Sequence, residues 1–144
     1  MSLFSKNGRT PPSGRRASGY AGEKMAAEFL KKKKYKILET NFTVKGGEID
    51  LVALDGDCLV FVEVKLRNAE DTPYFGQPAS AVNAEKRKRM IRAAFRWLSA
   101  HPSDFPVRFD VIEIEYTLSG DKKEYTVNHI TDAFVVPDSY FLFQ

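Results

Sequence analysis

The chain predicts an α/β domain, a mixed sheet flanked by helices, on three observations. Candidate elements follow the order helix, strands, helix, strands. Two apolar runs are separated by Asp55-Gly56-Asp57, a strong hairpin signal. Two stretches, about residues 19–33 and 81–99, repeat their apolar residues at the period of an amphipathic helix. The length, 144 residues, suits one domain rather than two.

Residues 1–18 are rich in Gly, Pro, Ser and Arg and carry no apolar period, so they are expected to form a flexible basic arm. The domain is expected to span residues 19–144. In the first helix Ala26, Ala27, Phe29 and Leu30 cluster on one side, and Lys31 to Lys34 supply the cationic end that a helix C-terminus favours. Residues 36–42 read as a short strand or extended link. Residues 47–54 (GEIDLVAL) and 58–67 (CLVFVEVKLR) read as the hairpin strands, and the proline-containing stretch 67–78 as a loop. The second helix sets Met90, Ala94, Trp97 and Leu98 on one face and Arg89, Arg92 and Arg96 on another. Residues 107–116 and 124–130 complete the strands, turning at Ser119-Gly120-Asp121, and the aromatic tail from Pro137 is expected to dock on the body. Short connections favour antiparallel neighbours in the first half, and a parallel pair can arise only through the crossover helix.

Composition narrows the function classes. With 43% hydrophobic and 28% charged residues the chain has the balance of a folded globular protein. No stretch reaches the run of about 18 apolar residues that a membrane span needs, and no secretory signal is visible, so a cytoplasmic location without a membrane partner is expected. Cys58 stands alone, which argues against a disulfide or a cysteine-based metal site. The net charge of +3 is concentrated in Lys6, Arg9, Arg15 and Arg16; without them 18 basic residues face 19 acidic ones. A basic arm could touch phosphates, but short charged tails are mostly just solvated, which is the plain reading.

Glu63 and Lys65 interrupt an apolar run, LVFVEVKL, that otherwise reads as a buried central strand. Alternation puts Glu48, Asp50, Val52 and Leu54 on one face of the first hairpin strand, and Leu59, Phe61, Glu63, Lys65 and Arg67 on one face of the second. A two-residue Asp55-Gly56 loop would pair Asp50 with Phe61 and Glu48 with Glu63. Asp50 and Glu63 would then be diagonal neighbours, with Cβ atoms roughly 7 Å apart, a separation that a divalent cation can bridge. Carboxylates this close, and partly buried, need a cation or a lysine to offset them. A solvent-exposed ladder of Glu48, Glu63 and Lys65 is the plain alternative.

The stretch GGEIDLVALDGDCLVFVEVKLR, residues 46–67, resembles the core motif of the PD-(D/E)XK nuclease superfamily. More closely, the chain resembles the YraN family of small, endonuclease-like bacterial proteins. That likeness runs through Gly22-Glu23, Ala26, Leu30, Asn41, Gly47 to Leu51, Phe61 to Lys65, Ala81-Val82, Lys86 and Phe109-Asp110-Val111. It implies a restriction-endonuclease-like fold, Asp50 and Glu63 as ligands of Mg²⁺ or Mn²⁺, the Val64 carbonyl as a third ligand, and Lys65 orienting or activating the attacking water. The motif's proline is absent, since Ile49 precedes Asp50.

Glu23 matches the first-helix glutamate that approaches the metal in related nucleases, and the helical period turns it inward; an acid in a first helical turn is the plain reading. The stem of Lys86 runs beside the buried face of the second helix, to meet a phosphate or to snorkel past the core edge. Gln77, Arg89 and Arg92 are further candidates for nucleic-acid contact. His101 and His129 have no metal-ligand spacing and are given no role. The expectation is a metal-dependent nuclease acting on nucleic acid, DNA favoured, with a homodimer suited to symmetric cutting. A noncatalytic nucleic-acid-binding module and a protein-interaction adaptor are the rivals.

Overall fold

The computed structural model describes residues 15–70 and 82–138. Gln77, Ala81, most of the 67–78 loop, the arm as far as residue 14 and the tail beyond residue 138 lie outside the described residues. Helix α1 (Arg15–Lys32) is followed by β1 (Lys36–Val44), β2 (Gly47–Asp55), β3 (Cys58–Asn68), α2 (Ala84–Ala100), β4 (Val107–Ser119) and β5 (Lys122–Phe134). The strands form one mixed sheet in the order β1-β2-β3-β4-β5. Neighbours are antiparallel except β3 and β4, which are parallel and joined through α2.

The two helices cover opposite faces, because β3 alternates apolar side chains to both sides. Leu59 and Phe61 pack with Met90, Ile91, Ala93, Ala94 and Trp97 of α2. Val60 and Val62 pack with Ala26, Ala27 and Leu30 of α1. A strand buried on both faces reads as a continuous apolar run, as this one does apart from Glu63 and Lys65. Helix α2 starts at Ala84, later than its apolar pattern suggests, because the Asn83 side chain accepts the Lys86 N–H and caps it. Helix α1 starts at Arg15, inside the stretch expected to be an arm. β4 starts where expected and runs three residues further, and β5 outruns expectation at both ends: Lys122 and Lys123 are exposed and lack alternation, yet their backbones pair.

The hairpin register differs from the expectation by two residues. The loop is Gly56-Asp57 rather than Asp55-Gly56, with Gly56 at φ +59, the sign that glycine supplies at the first central position of a type II′ turn. Val52 therefore faces Phe61 and Leu51 faces Val62, where the ladder ends. Continued one step, this register sets Asp50 directly across from Glu63, not diagonally. The alternation of β2 also slips. Val52 and Ile49 share the α2-side core although three residues apart, while Leu51 and Ala53 lie in the α1-side core. The slip falls at Asp50, opposite Asn41 of β1, which has φ +53 between the pairs Thr40↔Leu51 and Phe42↔Ile49. Asn tolerates that conformation better than most residues.

At the hairpin end of the sheet, Asp110 is fully buried and fully answered. It accepts from Arg108 Nε and Nη2 at 2.8 and 3.0 Å, from the Asp132 N–H at 2.9 Å, and from His129 Nε2 at 2.8 Å. The Lys33 ammonium lies 3.0 Å from His129 Nδ1, so that nitrogen accepts and the proton sits on Nε2. Arg108 also reaches Asp55 and the Tyr35 hydroxyl. His129, given no role from the sequence, thus ties β5 to β4 and α1.

Helix α2 approaches β2 closely because residue 47 has no side chain. A Cβ there would stand 2.6 Å from the Arg89 carbonyl oxygen and 3.0 Å from the Ala93 nitrogen, both backbone atoms that cannot swing aside. Gly47→Ala is expected to lower unfolding free energy by about 1–3 kcal/mol, as overpacking does. Urea denaturation checks it; an unchanged midpoint would mean that α2 is free to move off the sheet.

Candidate functional site

The site forms where β2 and β3 part. Beyond Leu51↔Val62 the Val64 N–H has no ladder partner in β2, and it donates instead to Asp50 Oδ2 at 2.7 Å. Such a bond fixes the carboxylate at the mouth of the gap. Glu63 projects on the α2 side, is 6% exposed, and carries Oε2 buried without a hydrogen-bond partner. Glu23 approaches from α1. Gly22 beside it lets the helix settle on β3, where a Cβ would lie 3.3 Å from the Leu66 Cβ. Asp50 is within side-chain hydrogen-bonding reach of both Glu23 and Glu63.

These acids are held in an unfavourable place for charge. Burial, and then the charge of Asp50, pushes Glu23 up to about 8. The same two causes push Glu63 up to about 8. Asp50 is also raised, by burial, although the Val64 N–H and Lys86 work the other way. Near neutral pH the group therefore holds protons that isolated carboxyls release.

Lys86 reaches the site from the first turn of α2. Its ammonium donates to Glu48 Oε1 at 2.7 Å and lies 3.4 Å from Glu63 Oε1. The bond to Lys86 lowers Glu48, while for Lys86 burial is outweighed by Glu48, Glu63 and Asp50, which together raise it. Lys65 is partly buried on the Glu63 face; burial, then Arg67, lowers it, and Glu63 and Glu113 pull the other way.

The residues singled out from sequence do not all converge. Glu23, Asp50, Glu63, Val64, Lys65 and Lys86 come together. Arg89 instead pairs loosely with Glu48 at 3.9 Å, and Arg92 donates to the Gly46 carbonyl at 2.7 Å. Both have partners within the fold, so the basic face of α2 is not wholly open to phosphates. Sequence reasoning missed Glu113, 7% exposed on β4 directly across from Lys65. Its signal resembles that of Glu63, an acid inside an apolar strand run, DVIEIE.

Among the described residues no three His, Cys, Asp or Glu side chains converge closely enough to enclose a metal ion by themselves. The Asp50 and Glu63 carboxylates are oxygen donors of the kind suited to a hard cation that keeps water among its ligands, as Mg²⁺ does, and one buried oxygen of Glu63 is unanswered.

The protons on Glu23 and Glu63 make stability depend on pH. Both start from 4.5 and stand near 8 when folded, so their contribution is complete below about pH 4.5 and is lost as pH rises through about 8. Asp110 works in the other direction: His129, Arg108 and the Asp132 N–H overcome burial and lower it from 3.8, so its contribution is lost only as pH falls below that value. In chelator, the melting temperature is expected to fall steadily between about pH 5 and 8, and Glu63→Gln should flatten that slope. A wild-type profile already flat across this window would contradict the proton-holding cluster.

A model of the uncharacterised protein family UPF0102 matches residues 22–114. A UPF0102 protein of Chlorobium phaeobacteroides (strain BS1) is 45% identical over 121 residues, covering 81% of this chain and 93% of the relative. One from Geobacter metallireducens is 44% identical over 117 residues, covering 81% and 90%. One from Clostridium perfringens is 40% identical over 119 residues, covering 82% and 93%. Every site residue named above lies inside the matched stretch.

Proposed function

The chain belongs to the uncharacterised protein family UPF0102, and we propose that it is a metal-dependent nuclease that hydrolyses phosphodiester bonds in nucleic acid, DNA favoured. The observation that carries this reading is the buried, unanswered Oε2 of Glu63 beside Asp50 at the parting of two strands. A buried carboxylate oxygen without a partner costs about 1–3 kcal/mol or more, and an exposed ion-pair ladder would have no such atom. The likeness of residues 46–67 to the PD-(D/E)XK motif supports the same reading.

Asp50 and Glu63, with the Val64 carbonyl, would hold Mg²⁺ or Mn²⁺. When bound, the ion would stabilise charge on the phosphodiester oxygens and make a water more acidic. The Val64 N–H restrains Asp50 so that its carboxylate does not turn away. Glu23 holds a proton near neutral pH and can give it to Asp50 or keep it as a hydrogen-bond donor. Lys65 orients the attacking water and offsets charge that develops at phosphorus. Lys86 keeps Glu48 turned aside and moderates the charge of Glu63. Among the described residues no helix is long and apolar enough to cross a membrane.

Calorimetric titration with Mn²⁺, followed by cleavage assays on single-stranded, duplex and branched DNA and on RNA, tests the proposal. Asp50→Asn and Glu63→Gln are expected to weaken Mn²⁺ binding by at least about tenfold, to abolish cleavage, and to leave the metal-free protein as stable as wild type or more so. Lys65→Met should still bind Mn²⁺ and lose about 100-fold in turnover. Wild-type protein that neither binds millimolar Mn²⁺ nor cuts any substrate would sink the enzyme reading.

A further inference from the structure

Among the described residues only two buried side-chain oxygens lack a hydrogen-bond partner, Glu63 Oε2 and Glu113 Oε1. The first belongs to the proposed metal site. The second has no part in it so far, and an orphan carboxylate oxygen in a native fold calls for a partner that is supplied in use. Glu113 pairs with Lys65 across the parallel β3–β4 ladder, so both side chains leave the same face of the sheet, the face that carries Glu63. Lys65 makes no ion pair among the described residues. A cation without a close anion and an anion without a close cation thus stand at facing positions on adjacent strands.

We propose that Glu113 is a positioning residue of this site, the carboxylate that takes the Lys65 ammonium when Glu63 is engaged by a divalent cation. The assignment rests on the metal-dependent reading above. Charge decides it. Asp50 and Glu63 answer the two charges of a divalent ion, and Glu48 answers Lys86 at 2.7 Å, which leaves Lys65 to Glu113. Without Glu113, the ammonium is left with Glu63, since Glu115 on the same face stands across from Arg67, and it competes with the metal for the Glu63 carboxylate. Glu113 therefore keeps two cations apart and holds Lys65 where it meets water rather than the metal's ligand.

The test is a double-mutant cycle read by Mn²⁺ calorimetry, with turnover as a second readout. Glu113→Gln, close to isosteric, is expected to weaken Mn²⁺ binding about tenfold and to lower kcat with little change in KM. In a Lys65→Met background the same substitution should change Mn²⁺ affinity by less than about twofold, because the competing ammonium is gone. Glu113→Met provides a second uncharged variant of similar size should Glu113→Gln fold poorly, with the same expected loss. Mn²⁺ affinity in the Glu113 variants within about twofold of wild type would overturn the assignment. So would an equal loss in the Lys65→Met background, which would mean that Glu113 acts on the metal directly or through the fold. A wild-type protein that binds no Mn²⁺ overturns the nuclease reading and this assignment together, whereas normal wild-type binding with unaffected Glu113 variants overturns this assignment alone.

Discussion

Where β2 leaves β3, the Val64 N–H takes the Asp50 carboxylate in place of a strand carbonyl. That bond fixes a charged oxygen at the end of a sheet whose central strand is buried on both faces, and the other features of the site follow from it. Glu23 comes within reach of Asp50 because Gly22 lets α1 lie close, and Glu63 comes within reach because the register sets it across the gap. Three acids so placed must hold protons, attract lysines or bind a metal cation. Lys86 supplies part of the compensation, and the protons on Glu23 and Glu63 another part. The unanswered oxygen of Glu63 marks what is left over.

The opposite end of the sheet provides an internal comparison. Asp110 is fully buried and Asp50 half-buried, yet Asp110 is lowered and Asp50 raised. The donors decide the sign. Asp110 has an arginine, a histidine and a backbone N–H around its two oxygens, while Asp50 has one N–H and acidic neighbours. Burial alone is therefore not what sets the two carboxyls apart; the completeness of their donors is. The Asp110 cluster locks β4, β5, the hairpin turn and the end of α1 together, and so provides a rigid base for a site at the far end of the same strands.

Much of this was legible in the sequence because it depends on local pattern. The order of elements, the crossover helix and the parallel pair follow from periodicity and loop length. The acidic interruption of LVFVEVKL points to Glu63 and Lys65 without any tertiary information. What was not legible depends on geometry that one-dimensional spacing does not carry. The loop fell at Gly56-Asp57 because the glycine takes the first turn position, which shifts the register by two and brings Asp50 opposite Glu63. Strict alternation hid the slip at Asp50, which needs the positive φ of Asn41 on a neighbouring strand. Arg89 and Arg92 lie on the open face of a helical wheel, but Glu48 and the Gly46 carbonyl engage them. Glu113 gave a signal of the same kind as Glu63, yet its meaning required the β3–β4 register, and His129 looked isolated because its partners are 19 and 96 residues away.

On the proposed reading, the excess acid at this site is balanced by protons that a divalent cation replaces. Counting the protons released on Mn²⁺ binding tests it most directly, by calorimetry at about pH 6.5 in two buffers of different ionisation enthalpy. The expected result is release of about one proton per Mn²⁺ bound by wild type, and none by Glu63→Gln. Binding with no proton release would mean that the acids are already ionised, and would contradict a cluster held together by its protons.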